Sequence, residues 1–529
     1  MGGAQAATAD RLPEIAGALR AAARRAGTPC YVTDVAALHA AADRLAAAFP
    51  DPWLRAYSLK ANDSPAIVAR LAARGLAANV VSRGEWALAA RAGLPNAAIT
   101  LEGIGKGEAE LRAAARAAGD GRPLRWVAVE STDEAAALAR AVERVRAGTG
   151  AGRGGARRAA AGSSGGAPGA AGSSGGAQDE PVRLDVLVRV NPEVEPETHP
   201  GLATGAAASK FGLLADEVSA AIAAGGGRDG PLRWRGLHLH VGSQLGAIDA
   251  WRDAVRRVLA LFGLLQGGLP DFDTLDLGGG FPVGPHGVIV PDPERFAAEL
   301  PALLAAIPAD RRPRRLAVEP GRFLVAHAGW LVARVLHVRE RAGPAPEPPA
   351  TDRAGPLGLA VVPPGALTTD RSARIVVIDA GMTELLRPAL YGSEHPVVAL
   401  TSLGREVVHR AAAGPARLSA SWRAAAAARQ EEEALRGRKA AGIVAAGALG
   451  EGVRFARVDG PVCEATDTLG EHPLPRLRRG DLVAIRDTGA YGASMSSRYN
   501  GRPRPAEVLV EPDGRLTLAR RRGSLASLG

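Results

Sequence analysis

Eight short runs of β-branched and aliphatic residues recur through the first 320 positions, each followed by an Ala, Leu and Arg stretch with helical spacing. In order they are LRAYSLK (54–60), AANVVS (77–82), AAITLEG (97–103), RWVAVES (125–131), RLDVLVRV (183–190), RWRGLHLHV (233–241), TLDLG (274–278) and RLAVE (315–319). Strands alternating with helices predict a parallel sheet, and this number of units is that of a (β/α)8 barrel; an open doubly wound sheet is the alternative. After Gly321 the pattern changes to strands punctuated by Gly and Pro: GWLVARVLHV, ARIVVIDAG, HPVVALT, VRFARVDGPV, DLVAIRDTGAY and AEVLVEPDGRLTLARR. These predict a second, all-β domain, a small barrel or sandwich, and the strand-like TPCYVTD (28–34) is available to pair with it.

The expected fold class is therefore α/β, with a barrel over 35–320 and a β domain formed by 1–34 together with 321–529. Three segments interrupt it. Residues 148–180 contain AGSSGGA twice and read as a flexible linker; 341–370 is Pro-rich; 403–448 is an Ala, Arg and Glu tract without strand signal.

Composition narrows the classes. The 529 residues are 47% hydrophobic but only 4% aromatic, so a large core has to be packed with Ala, Val and Leu. That apolar fraction excludes chain-wide disorder, and the glycines lack a collagen period. No run approaches the roughly 18–20 apolar residues that span a bilayer, and MGGAQAATADRLPEIAGALR lacks the apolar core of a signal peptide; the expectation is a cytoplasmic protein with no membrane partner. Two cysteines, Cys30 and Cys463, make no disulfide framework. The net charge of +10 comes almost wholly from arginine, with lysines only at 60, 106, 210 and 439. Without a basic stripe interleaved with aromatics, this excess does not point to nucleic acid.

Active sites of such barrels lie at the C-terminal ends of the strands. The first strand ends in YSLKAND, where Lys60, if partly desolvated, becomes an amine nucleophile; the alternative is a rim lysine reaching for solvent. HLHVGSQ places His238 and His240 on one strand face. His240 is suited to stack on a flat cofactor, while a metal is the alternative for the pair, and no ligand at metal spacing accompanies them, so no metal is expected. DLGGGFPV offers Gly278, Gly279 and Gly280, whose backbone can approach an anion closely. AVEPGRF presents Glu319, Gly321 and Arg322 on the next strand end, and consecutive loops at these positions form the usual phosphate site of such barrels.

Together these motifs resemble the fold-type III pyridoxal phosphate enzymes, and within them the diaminopimelate decarboxylases, over nearly the whole chain outside the interruptions. The resemblance implies pyridoxal 5'-phosphate held covalently by Lys60, with His240 against its ring, Ser243, Gly279, Gly280, Gly321 and Arg322 around its phosphate, and Glu319 at its pyridine nitrogen. In the β domain, IDAGMTELLRPALYGSEHPV resembles a substrate segment carrying Arg387 and Tyr391. GPVCEATDTL resembles a proton-donor segment, with Cys463 as the acid and Glu464 as a substrate ligand. DTGAYGASMSSRYN supplies Tyr491 to both cofactor and substrate. The implied reaction converts meso-2,6-diaminopimelate to L-lysine and CO2, with Arg322 and Arg387 available for the distal carboxylate, in a homodimer whose sites are shared across the interface. Three positions depart from the resembling motifs: Asn79 in NVVSRGE stands where an acid is usual, Arg83 replaces a glycine, and Ile104 in GIGK replaces an asparagine. These bear on which amino acid is the substrate. Decarboxylation of another amino acid, an alanine-racemase-like activity and a non-catalytic cofactor-binding homologue are the alternatives.

Overall fold

A computed structural model describes residues 11–161, 181–196, 198, 202–206, 208–284, 290–342, 372–408, 452–524 and 526. The chain forms two compact units: Leu45–Gly280 with Asp292–Pro320, and Met1–Arg44 with Phe281–Pro291 and Gly321–Gly529.

The chain enters through a helix, Leu12–Ala26, and strand β1 (Cys30–Asp34). Eight strands follow: β2 (Leu54–Ser58), β3 (Ala77–Val80), β4 (Ile99–Leu101), β5 (Trp126–Val129), β6 (Leu184–Val190), β7 (Leu232–Leu239), β8 (Thr274–Asp276) and β9 (Arg315–Val318). All pair in parallel with their sequence neighbours, and β9 closes onto β2 through Leu54↔Ala317 and Arg55↔Val318. The closed barrel, not the open sheet, is thus the arrangement. Its helices carry apolar residues at helical spacing: Asp249–Leu265 buries Trp251, Ala254, Val255, Val258, Leu259 and Phe262, one face against the barrel. Inside, Trp126, Ala128, Leu187 and Ala317 pack as a cluster.

The helix Thr132–Ala161 runs into the segment whose composition predicts a linker, so residues 148–161 are helical; 162–180 lie outside the described residues.

The other unit is built on a nine-stranded sheet. Its remaining strands are β10 (Gly329–Ala342), β11 (Ser372–Ile378), β12 (Val397–Ala399), β15 (Arg454–Asp459), β16 (Thr468–Leu474), β17 (Leu482–Ile485), β18 (Ala506–Val510) and β19 (Leu516–Arg520), with a hairpin of β13 (Thr401–Ser402) and β14 (Arg405–Glu406) beside it. The first part of β10 pairs with β1 and β17, its last part with β11. Alternate residues separate two cores: Leu331, Ala333, Val483 and Ile485 enter one, while Trp330, Val332, Leu482 and Ala484 enter the other, covered by Leu12, Ile15, Leu19 and Ala22 of the first helix.

Three details differ from the sequence reading. Strand β16 (TLGEHPL) was not signalled, because Gly470 and Pro473 mask its alternation. The tract 403–448 begins with strand β14, and 409–448 lies outside the described residues. The Pro-rich interruption begins after β10 ends at Ala342, and 343–370 is likewise outside them.

Candidate active site

Within the barrel unit the polar strand ends converge as expected. Lys60 sits in a single turn of 3-10 helix, Leu59–Ala61, directly after β2, with Leu59 and Ala61 buried on either side. It is exposed, which matches the alternative of a rim lysine and not the partly desolvated one. Its charge reaches both histidines of β7 and its end. Enclosure by protein and then the positive charges of Lys60 and Arg189 push His240 well below the ordinary imidazole range, so its ring is neutral.

The triple glycine is required by close backbone approach. A Cβ on Gly278 would lie 2.3 Å from Leu239 O, one on Gly279 2.2 Å from Glu319 O, and one on Gly280 2.4 Å from Gly242 O. The N–H of Gly278 donates to Asp276 Oδ1 (2.9 Å) and that of Gly279 to His240 Nδ1 (3.2 Å). Two of the three N–H groups expected to face an anion are instead turned inward, and one of them fixes the tilt and tautomer of His240. Ser243 is anchored through its backbone, its carbonyl accepting from Thr198 Oγ1 at 2.6 Å.

Behind these groups lies a buried polar cluster that sequence reasoning did not assemble. Glu319 accepts from Asn79 Nδ2 at 2.7 Å, and Asn79 Oδ1 in turn accepts from Ser58 Oγ at 3.4 Å. His238 Nε2 lies 3.4 Å from Glu102 Oε2 and 3.5 Å from Glu319 Oε1. Trp126 Nε1 donates to Glu102 Oε1 at 3.3 Å. Burial, and then the charge of Glu319, raise Glu102 to about 8. Burial, and then Glu319 and Glu102, hold Asp276 well above the carboxylate range, and burial lowers His238 to about 4. Glu102, His238 and Glu319 bring three donor atoms within 4.8 Å. Asn79 aims its N–H at the Glu319 oxygen that lies 3.5 Å from His238. The signal for Glu102 was present: it stands at the end of β4, the same kind of position as Lys60 and Glu319.

The departures fall around this region. Ser82 caps the helix Arg83–Arg91 by accepting from Glu85 N, while Glu85 Oε2 accepts from Val81 N at 2.9 Å. Arg83 and Ile104 are exposed. Lys106 is enclosed, donating to Gly103 O and pairing with Glu134 at 3.0 Å, a structural role.

The β unit gathers a second set. Gly321 precedes the short helix Arg322–Val325, and Arg322 and Arg387, both buried, lie over the Tyr491 ring at 4.8 and 5.4 Å. Arg387 also lies over Tyr391 at 5.5 Å, one helical turn away in Arg387–Tyr391, and donates to Ser393 Oγ at 3.1 Å. Burial and then the neighbouring Arg322 push Arg387 down to about 9; a bound anion would offset both costs. Tyr491 is held at φ 59, an unfavourable region for a non-glycine residue.

Cys463 and Glu464 are exposed. Asn500 Nδ2 approaches Cys463 Sγ at 3.7 Å, and Tyr499 OH donates to Glu464 Oε1 at 2.7 Å. Their loop is tied down by Asp467, which the sequence did not single out: its carboxylate accepts from Val462 N at 2.7 Å and Met382 N at 2.6 Å. A Cβ on Gly381 or Gly460 would strike that carboxylate at 2.2 or 2.3 Å.

A lysine amine at a strand end, a neutral imidazole beside it, a buried carboxylate and a glycine-lined loop fit pyridoxal phosphate in donor chemistry: an amine for the carbonyl, a flat uncharged face, and an acceptor for the ring nitrogen. The fold and these groups define a barrel enzyme of the pyridoxal-dependent decarboxylases. Residues 35–163 and 176–326 match the family described as pyridoxal-dependent decarboxylase, pyridoxal binding domain, and the chain belongs to it. Among individual relatives, the chain is 32% identical to a diaminopimelate decarboxylase of Deinococcus radiodurans, covering 93% of this chain and 92% of that one. It is 29% identical to the diaminopimelate decarboxylase of Aquifex aeolicus, over 95% and 91%. Its fold matches the crystal structure of a diaminopimelate decarboxylase from M. jannaschii in complex with L-lysine, with TM-score 0.68, 25% identity, and coverage of 97% and 93%.

Proposed function

We propose that this enzyme decarboxylates meso-2,6-diaminopimelate to L-lysine and CO2, using pyridoxal 5'-phosphate. The observation that carries the substrate reading is the buried pair Arg322 and Arg387, both against Tyr491. Two enclosed guanidiniums repel one another and favour a carboxylate between them; a substrate with only an amine at its far end would add to the repulsion.

When bound, the cofactor supplies an electron sink for the bond pair left by departing CO2. Lys60 would hold the cofactor through its side-chain amine. The neutral ring of His240 would offer the cofactor a flat uncharged face, and Glu319 would serve as the acceptor for its ring nitrogen. Ser243, Gly279, Gly280, Gly321 and Arg322 would line its phosphate end. Arg387, Tyr391 and Tyr491 orient the substrate, Glu464 receives its distal ammonium, and Cys463 delivers a proton to the carbon that lost CO2. The exposure of Cys463 and Glu464 supports a homodimer in which this loop completes the partner's site. We infer a cytoplasmic setting, where free thiols such as Cys30 and Cys463 persist.

The test is to supply purified protein with pyridoxal phosphate and meso-diaminopimelate, and to measure L-lysine and CO2, with L-ornithine, L-arginine and L-lysine in parallel. Lysine formed from meso-diaminopimelate, and lost in Lys60→Ala, is the expected result. Turnover of one of the other amino acids instead would overturn the substrate assignment and keep the chemistry.

A further inference from the structure

Two carboxylates and an imidazole meet inside the barrel with little solvent. Glu102, at the end of β4, and Glu319, at the end of β9, are 3% and 6% exposed, and His238 between them is 1% exposed. An oxygen of each carboxyl group and a His238 ring nitrogen all lie within 4.8 Å of one another. Two carboxylates cannot share a hydrogen bond unless one of them carries a proton, because an ionised carboxylate only accepts.

The surroundings decide which one keeps it. Glu319 receives the amide N–H of Asn79 at 2.7 Å, a donor well placed to stabilise a negative charge. Glu102 receives only the longer Trp126 indole N–H at 3.3 Å. Burial works against a charge on His238, so its pull on Glu102 is outweighed by burial and by Glu319, and Asp276 adds a further acidic group nearby. The cations that reach this cluster, Lys60 and Arg189, act on His238, and Arg189 is already paired with Glu130 at 3.0 Å. Glu102 is thus the member with the weakest support for a charge.

We propose that Glu102 is a positioning residue: it keeps its proton and donates it to Glu319, so that Glu319 meets the cofactor ring as one oriented anion. This rests on the reading of Glu319 given above. It also gives Asn79 a purpose. An acid at that position would put a further carboxylate against Glu319, whereas the amide supplies a second donor, and Glu102 and Asn79 hold the same carboxylate from two sides.

The experiment compares Glu102→Gln, which retains an N–H donor but cannot titrate, with Glu102→Leu, which has neither. Infrared difference spectra of the cofactor-free proteins should show a protonated carboxylic acid band in wild type that is absent from Glu102→Gln. In the loaded enzyme, Glu102→Gln should keep cofactor affinity within about threefold, and Glu102→Leu should weaken it about tenfold or more. Wild type should lose its cofactor absorbance signature as pH rises through the ionisation of Glu102, and Glu102→Gln should lack that transition. Equal losses in the two variants, or a carboxylic acid band unchanged in Glu102→Gln, would overturn the proposal. A wild-type protein that binds no pyridoxal phosphate would refute the function proposed above, and the infrared band would still decide where the proton resides.

Discussion

Asn79 donates from Nδ2 to Oε1 of Glu319 across 2.7 Å, and both side chains are buried. A neutral side chain thus orients a buried acid, and an acidic group close to Glu319 comes instead from Glu102 at the end of β4. Asn79→Asp removes the donor and adds a negative charge in the same space. We expect a loss of at least about 1–3 kcal/mol in denaturant stability. The loss should be smaller when Glu102→Gln is present, because the two changes share one partner. An unchanged unfolding midpoint would show that the amide donor is dispensable.

The stability of the barrel should carry a pH signature from Glu102. Its native ionisation lies near 8, above the ordinary carboxylate range, so folding takes up a proton between those limits. This contribution is fully present in acid and is lost as pH rises through about 8. Relative to Glu102→Gln, wild type should lose stability across that window by up to about 1.4 kcal/mol per pH unit. Parallel pH profiles for the two proteins would argue against it.

Gly279 has no room for a side chain, since a Cβ would stand 2.2 Å from the carbonyl oxygen of Glu319. Gly279→Ala should push apart the ends of β8 and β9 and cost about 1–3 kcal/mol. It should also release His240, whose Nδ1 accepts the Gly279 N–H. Cofactor affinity should therefore fall together with melting temperature; a fall in one alone would separate the two roles.

Arg387 is costly where it stands, being buried beside Arg322. Arg387→Gln should leave folding stability unchanged or raise it, while KM for a dicarboxylic substrate rises about 10–150-fold, the loss of one charged hydrogen bond. Steady-state kinetics with thermal melts checks both signs. A fall in stability with KM unchanged would assign Arg387 to the scaffold.

Much of this was legible in the order of residues. Hydrophobic periodicity located all the barrel strands, because a strand buried on both faces reads as a continuous apolar run whatever surrounds it. The strand-end rule singled out Lys60, His240, Glu319 and the glycine loop as candidates. It passed over Glu102, whose significance depends on Glu319, distant in sequence, lying within 4.8 Å of it in the fold. Asp467 escaped for the same reason: its partners are the backbone N–H groups of Val462 and Met382, and backbone donors have no sequence signature.

By itself the sequence determined the alternation of strands and helices, the family motifs and the candidate reactive groups, since these depend on local pattern and side-chain chemistry. Only the tertiary structure decided their working state. Closure of β9 onto β2 made a barrel of what might have been an open sheet. It brought Asn79, Glu102, His238 and Glu319 into one dry pocket, where burial and mutual repulsion set which group carries charge. It also turned the Gly278 and Gly279 N–H groups inward, against the reading from composition. Charge state and donor direction depend on distance and solvent exclusion, which are properties of the folded chain.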